Sequence, residues 1–386
     1  MNKAEKELRK LFKIAGINVN GKNPWDIKVH NKRFFKRTLT DGPLGFGESY
    51  MDGDWDSEQL DETVARIQRA ALGDKIKKNL PLILFLAKSK FIDVATIKKS
   101  YVVGRVHYGV GNELYERMLD RDMNYTCGYW KGLGDINTAW KNPKNLDKAE
   151  AAKLDLICRK LHLKPGMKVF DVGCGFGNFA RFAAANYKVK VVGITITKEQ
   201  AELARIRCKG LPVDIRLEDY REMKPEKFDR IVAIGMVEHV THKHYEKFMQ
   251  IMDSFLKPDG LFMIHTIGSP VSTTHADPWT EKYLFPNSHL ASIAQIAKAA
   301  ENKFLIEDLQ NFGAYYYPTL MSWDRNFDKS WKELKRLYPE KYDDRFYRMW
   351  KLYLLGSAGG FKARLMQLWQ IVLSKSNTLE VYQSVR

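Results

Sequence analysis

Between residues 165 and 268, short apolar runs alternate with longer amphipathic stretches. The runs Val169–Val172, Lys188–Ile194, Val213–Leu217, Phe228–Ile234 and Leu261–His265 have the length and the Val, Ile and Phe content of strands. Between them, Phe179–Ala185, Lys198–Cys208 and His244–Leu256 suit helices, the last ending at the turn Lys257-Pro258-Asp259-Gly260. A further helix, Leu146–Leu161, precedes the first run and stops before Lys164-Pro165-Gly166. This alternation predicts an α/β fold of Rossmann-like type: a doubly wound, mainly parallel sheet with right-handed crossovers.

Residues 1–95 lack the alternation and predict a smaller, mostly helical N-terminal domain. Helices are expected near Lys3–Ala15 and Ser57–Ala71, the second ending at Gly73, with an aromatic and basic stretch at Asn31–Leu39. The segment Leu44–Trp55 (LGFGESYMDGDW) carries too many glycines for a helix and reads as a shaped loop. From Lys75 to Lys99, lysines interleave with Pro81 and Leu82–Ala87, as on a surface that touches lipid or on the basic face of an ordinary helical domain. Residues 96–112 are expected to be a linker and 113–386 the second domain. Within it Glu113–Leu119 reads as a helix and Tyr125–Trp130 as a loop. Residues 268–300 read as an irregular insertion over the site, carrying Trp279, Tyr283 and Phe285, and the last hundred residues as aromatic, basic and helical.

The first run leads into Gly173-Cys174-Gly175-Phe176-Gly177 and then a helix, which is the nucleotide-binding corner of an open α/β sheet. Side chains there would keep a ligand off the backbone. The spacing is not that of a dinucleotide fold, and the second run ends in Thr195-Ile196-Thr197 with no acid for a ribose and no Arg. No Walker Gly-Lys-Ser/Thr follows either. What remains is the S-adenosylmethionine corner of a class I methyltransferase. Ligands of such sheets bind at the carboxyl ends of the strands. Tyr220 there could stack on an adenine, Asp219 could hydrogen-bond it, and Gln200 could reach the ribose hydroxyls, although Tyr220 taken singly reads as packing. The fourth run ends in Met236-Val237-Glu238-His239 rather than the Asp/Asn-Pro-Pro-Tyr/Phe of enzymes that methylate exocyclic base nitrogens. Glu238 and His239 with His265 resemble proton-handling equipment, or else a salt-bridged Glu and a core His.

Charge adds a partner to this picture. A formal net charge of +17 implies an anionic one, nucleic acid or the acidic face of a membrane, and the fourth strand end disfavours nucleic acid. The longest apolar run, Leu82–Ala87, is far too short to cross a bilayer, and the charged amphipathic start reads as a helix rather than a signal peptide. Cys127, Cys158, Cys174 and Cys208 show no CxxC spacing, so neither a metal nor a disulfide framework is expected and a reducing cytoplasm fits.

Ten stretches together carry a resemblance along nearly the whole chain: FFKR, LGFGESYMDGDW, YTCGYW, VFDVGCGFGNF, GITIT.EQ, FDRIVAIGMVEHV, HTIGS, DPW..KY.FPN, NFGA.Y and QLWQ. They resemble the cyclopropane-fatty-acyl-phospholipid and mycolic acid cyclopropane synthase family. The resemblance implies that a cis double bond of a phospholipid acyl chain takes a methyl group from S-adenosylmethionine, and that a bound bicarbonate ion removes the proton that lets the ring close. It implies a bicarbonate cradle of Cys127, Glu238, His265, Ile267 and Tyr316, in which Cys127 and Ile267 offer backbone N–H groups. It implies a cofactor site of Tyr125, Thr126, Gly173, Cys174, Gly175, Thr195, Gln200, Asp219 and Tyr220. Tyr316, Tyr317, Tyr129 and Trp130 could face a cation. The partners implied are an unsaturated phospholipid and an anionic membrane surface met peripherally from the cytoplasm, with a homodimer as one option. The chain departs from the family at Gly109, where His-Tyr-Asp is usual, and at Ser357, where some members carry cysteine. A methyltransferase for another lipid or for nucleic acid, and a membrane-binding protein without catalysis, are the competing readings.

Overall fold

The strands expected from the apolar runs form one sheet in the computed structural model, which describes residues 1–72, 111–274, 277–286 and 288–386. They are β1 (Lys168–Val172), β2 (Lys190–Thr195), β3 (Val213–Leu217), β4 (Phe228–Ile234) and β5 (Leu256–Gly268), followed by β6 (Phe304–Asn311) and β7 (Gln367–Lys375). The strand order is β3-β2-β1-β4-β5-β7-β6. β1 to β5 pair in parallel, and β7 runs antiparallel to both its neighbours. The chain therefore winds one way from β1 and the other way from β4, which opens a crevice at their carboxyl ends.

Both faces of the sheet are covered, which is why its strands read as unbroken apolar runs. Phe170, Val192, Ile231 and Phe262 pack on one side with Phe248 and Met252. Their chain neighbours Val169, Val191, Val232 and Met263 pack on the other with Leu154, Ile157, Ala180 and Ala201. A side chain of this size stabilises the fold by roughly 1.5–3 kcal/mol when fully buried.

The structure corrects the sequence expectation for several elements, and the expected turn Lys257–Gly260 falls within β5. The last hundred residues are not wholly helical, because β6 and β7 lie among them. β7 is buried along almost its whole length, whereas β6 is an edge strand whose apolar–polar alternation is broken by a bulge between Ile306 and Asp308. The insertion after β5 contains two helices, Pro278–Tyr283 and Ile293–Ala300. Asp277 caps the first, and the second starts with a capping box of Ser292 and Gln295. Finally, the glycine-rich segment from Leu44 is helical as far as Met51, within a helix Arg33–Met51 kinked at Gly42. A Cβ on Gly45 would lie 2.1 Å from the Arg37 carbonyl oxygen and one on Gly47 would lie 2.4 Å from the Trp279 ring. These glycines serve close packing, which outweighs their poor helix propensity.

The chain divides into two compact units, Met1–Met118 with 276–287 and Leu320–Leu365, and Leu119–His275 with 288–319 and Met366–Arg386. The grouping differs from a cut at residues 95 and 112, since two later segments join the N-terminal helices. In that first unit the helices Leu60–Arg69 and Asp344–Lys362 approach closely where Gly359 faces the Asp61 carbonyl oxygen. Phe34, Phe46, Tyr50 and Trp55 form an aromatic cluster, and Glu48 accepts hydrogen bonds from Lys282 and Tyr283. The basic, apolar stretch Lys75–Lys99, almost all of the expected linker, and Gly109 lie outside the described residues.

Candidate active site

Every residue assigned to the site from sequence lies in the sheet-containing unit. Gly173, Gly175 and Gly177 after β1 have φ of +81°, +52° and +77°, the left-handed region in which a side chain is strained. A Cβ on Gly177 would meet Ala204 and Cys208, whereas one on Gly175 would meet nothing within 4 Å. Gly175 thus borders open space that a side chain would fill, as a backbone cradle for a ligand requires. Cys174 is buried, donates its N–H to the Ile194 carbonyl and packs against Gly193, tying the loop to β2. Burial holds its thiol well above the ordinary value.

Thr195, Gln200, Asp219 and Tyr220 lie at or just beyond the neighbouring strand ends. Thr195 donates its hydroxyl to Gln200 Oε1 at 3.0 Å, which leaves the Gln200 amide nitrogen as the donor for a ligand. Asp219 is bound by the Arg221 backbone and guanidinium, which lower its pKa and occupy both carboxylate oxygens. Tyr220 stands edge-on to Phe248, 5.5 Å between ring centres, and adds its half-buried ring to the core.

Sequence reasoning missed a buried polar cluster behind the loop. Lys153 Nζ donates to Thr126 Oγ1 at 2.8 Å and to Asn124 Oδ1 at 3.1 Å, and lies 3.1 Å from Glu150 Oε2. Burial raises Glu150 to about 8 and Asp171 to about 7, with the Lys153 charge opposing the rise in both. One cation thereby fixes Thr126 and shares its field among several carboxyls. A signal was present: Glu150 and Lys153 occupy positions i and i+3 on the buried side of the helix Lys144–Lys160, among Leu146, Ala149, Leu154 and Ile157.

Glu238 and His265 follow β4 and end the parallel part of β5. Glu238 Oε1 accepts the Ile267 backbone N–H at 2.7 Å, and its Oε2 is buried with no hydrogen-bond partner. Burial raises this carboxyl to about 7, against the stabilising hydrogen bond from Ile267. The Ile267 N–H is therefore used in holding Glu238. His265 is 1% exposed, has the Gln370 side-chain amide nitrogen 3.3 Å from its Nδ1, and keeps Nε2 buried without a partner. Burial, with the Lys153 and Lys160 charges behind it, pushes this imidazole well below its ordinary pKa. His239, by contrast, is exposed, so the Glu–His neighbours in sequence part in space.

Cys127 is fully buried and its thiol is held well above the ordinary value by burial and then by the Glu150 charge, so it is a thiol and not a thiolate. Thr319 organises this side of the site, since its hydroxyl oxygen accepts the Gly128 N–H at 3.2 Å and the Trp130 indole N–H at 2.8 Å. That hydroxyl also contacts Cys127 Sγ at 3.9 Å and reaches the Tyr315 carbonyl at 2.9 Å. Buried Tyr316 follows directly. Tyr129 packs edge-on against Phe312 and Tyr315, and Phe312 stands 5.9 Å from the His265 ring, so an aromatic wall adjoins the imidazole.

Residues 96–371 match the family model described as mycolic acid cyclopropane synthetase. A cyclopropane-fatty-acyl-phospholipid synthase of Escherichia coli (strain K12) is 46% identical over 365 residues, 95% of this chain and 92% of that protein. Among solved structures, the cyclopropane synthase MmaA2 from Mycobacterium tuberculosis is 26% identical with a TM-score of 0.62, covering 70% of this chain and 96% of its own. The mycolic acid cyclopropane synthase CmaA1 complexed with SAH and CTAB gives a TM-score of 0.61 at 26% identity over the same shares. A match of this extent, on a sheet that brings the glycine corner, Glu238 and His265 to one edge, means that the chain belongs to the cyclopropane synthase family of S-adenosylmethionine-dependent methyltransferases.

Proposed function

We propose that the chain converts the cis double bond of an unsaturated phospholipid acyl chain into a cyclopropane, with a bound bicarbonate ion as the base. The observation that carries the reading is the pair of buried, unpartnered atoms Glu238 Oε2 and His265 Nε2, near the end of adjacent strands. Buried polar atoms are rarely left unpaired, and a small anion taking hydrogen bonds from both would satisfy them. A Glu238 carboxyl raised to about 7 can carry the shared proton that removes its repulsion for an anion. The match to the Escherichia coli protein, over 95% of this chain, supports a phospholipid as the substrate.

When bound, S-adenosylmethionine supplies an electrophilic methyl group. The backbone at Gly173–Gly175, Thr195 with Gln200, and the Lys153-held loop at Tyr125 and Thr126 hold it in this reading. An alkene is a poor nucleophile, so the chain must exclude water and orient the double bond. The apolar and aromatic wall of Phe312, Tyr315 and Tyr129 suits both tasks, and its ring faces favour positive charge that develops on the acyl chain. Cys127 takes part through its backbone, because its buried thiol stays protonated. Ile267 acts by anchoring Glu238. The substrate lies in an anionic membrane that the basic chain meets from the cytoplasmic side.

Turnover in bicarbonate-depleted buffer tests the anion. Activity that is lost on depletion and returns with added bicarbonate is expected, and full activity after depletion would remove bicarbonate from the mechanism.

A further inference from the structure

His265, Gln370 and Gln310 lie abreast across three strands. His265 on β5 is in register with Gln370 on β7, and Gln370 is in register with Gln310 on β6. Directly opposed residues of antiparallel strands point to the same face, so the three side chains form a row. Gln370 is fully buried in the middle of that row, and its amide nitrogen lies 3.3 Å from His265 Nδ1. At the far end the Gln310 amide nitrogen reaches the Tyr129 hydroxyl at 3.5 Å. None of the family motifs that point to the site includes Gln310, and Gln370 enters only as the last letter of QLWQ.

A neutral imidazole carries one proton, and its position decides what the ring can do. An amide N–H donated to Nδ1 requires a lone pair there, which leaves the proton on Nε2. Nε2 is the buried atom without a partner. We propose that Gln370 is a positioning residue that fixes His265 as the Nε2–H tautomer, making it a hydrogen-bond donor to the anionic base and barring it from acting as that base. The inference rests on the reading of an anion at this site. The reverse amide orientation would put a carbonyl oxygen against an Nδ1–H and leave a bare Nε2 lone pair, which repels an anion's oxygen. The imidazolium form is separately disfavoured by burial and by the Lys153 and Lys160 charges.

The test reads the tautomer directly, in protein free of both cofactor and bicarbonate. Ring-nitrogen NMR of protein labelled with 15N-histidine, with the His265 signals identified by their loss in His265→Asn, should show the proton on Nε2 and a bare Nδ1. In Gln370→Glu, a carboxylate facing Nδ1 should draw the proton there, and kcat should fall about 10²-fold, as when one donor to a developing or bound oxyanion is lost. Cofactor affinity should stay unchanged. If that ring becomes doubly protonated instead, the donor survives and kcat should stay within a few-fold of wild type. A wild-type ring protonated at Nδ1 overturns the proposal, even if no variant folds. So does a Gln370→Glu protein that loses kcat while its ring remains the neutral Nε2–H tautomer, or one that switches to Nδ1–H and keeps kcat. Bicarbonate dependence is a separate measurement, so failure of the anion reading is distinguishable from failure of the tautomer.

Discussion

Glu238 is the residue whose environment says most about the chemistry. Its carboxyl is buried, bonded through one oxygen only, and raised to about 7 from an ordinary value of 4.5. Glu238→Gln keeps the size and the hydrogen bond to Ile267 but removes the shared proton. Turnover should drop about 10²–10⁴-fold, the usual contribution of a positioned acid or base, while calorimetry shows cofactor affinity nearly unchanged. The same variant has a stability signature. A carboxyl with a raised folded pKa binds more protons folded than unfolded, so its stabilisation is full below about 4.5 and is lost as pH rises towards 7. Denaturant midpoints of Glu238→Gln should therefore gain on wild type as pH climbs through that window. Unchanged relative midpoints would mean an ionised Glu238 in the fold. Gly175 makes the complementary prediction for the cofactor: Gly175→Val should fold, at a cost of about 1–2 kcal/mol for its left-handed backbone, and lose S-adenosylmethionine binding. A folded Gly175→Val protein with wild-type cofactor affinity would remove the glycine cradle from the account.

At the level of elements, the β5–β7 pair holds the site in register, and Gly268 is its tightest point. A Cβ there would lie 1.8 Å from the Trp369 ring and 2.6 Å from the Ala291 carbonyl oxygen. Gly268→Ala should destabilise by roughly 1–3 kcal/mol through overpacking, measurable as a lowered urea midpoint, and an unchanged midpoint would contradict this packing. The parallel half of the sheet was legible in sequence because strands covered on both faces are uniformly apolar; Val213–Leu217 and Phe228–Ile234 coincide with β3 and β4. β6 and β7 were not legible. β6 leaves Leu305, Ile306 and Leu309 partly exposed and is bulged, so neither strand nor helix periodicity dominates it. The helical LGFGESYM segment was hidden for another reason: its glycines answer to Arg37 and Trp279, contacts that no local pattern records. Among site residues, the glycines, Glu238 and His265 follow from their place at strand ends. Lys153 and Gln370 do not, since each acts through a neighbour fixed only by tertiary pairing.

For the whole molecule, the charge and the proposed substrate point the same way. No described helix is long and apolar enough to cross a membrane, and the chain carries a net +17. Attraction to an anionic surface decays within a Debye length of about 10 Å at 0.1 M salt, so binding should favour anionic over neutral vesicles and weaken as salt rises. Co-sedimentation that is equal for both vesicle types at every salt concentration would contradict this. Cyclopropane formation on a phospholipid acyl chain can be read from the lipid product itself. Purified protein is incubated with S-adenosylmethionine labelled in its methyl group and with vesicles of a mono-unsaturated anionic phospholipid, and the acyl chains are analysed by mass spectrometry and NMR. Label is expected in acyl chains that have gained one CH₂, lost their alkene protons and acquired ring methylene signals. Label found in a methyl branch, in a head group, or in added RNA in place of the lipid would contradict it.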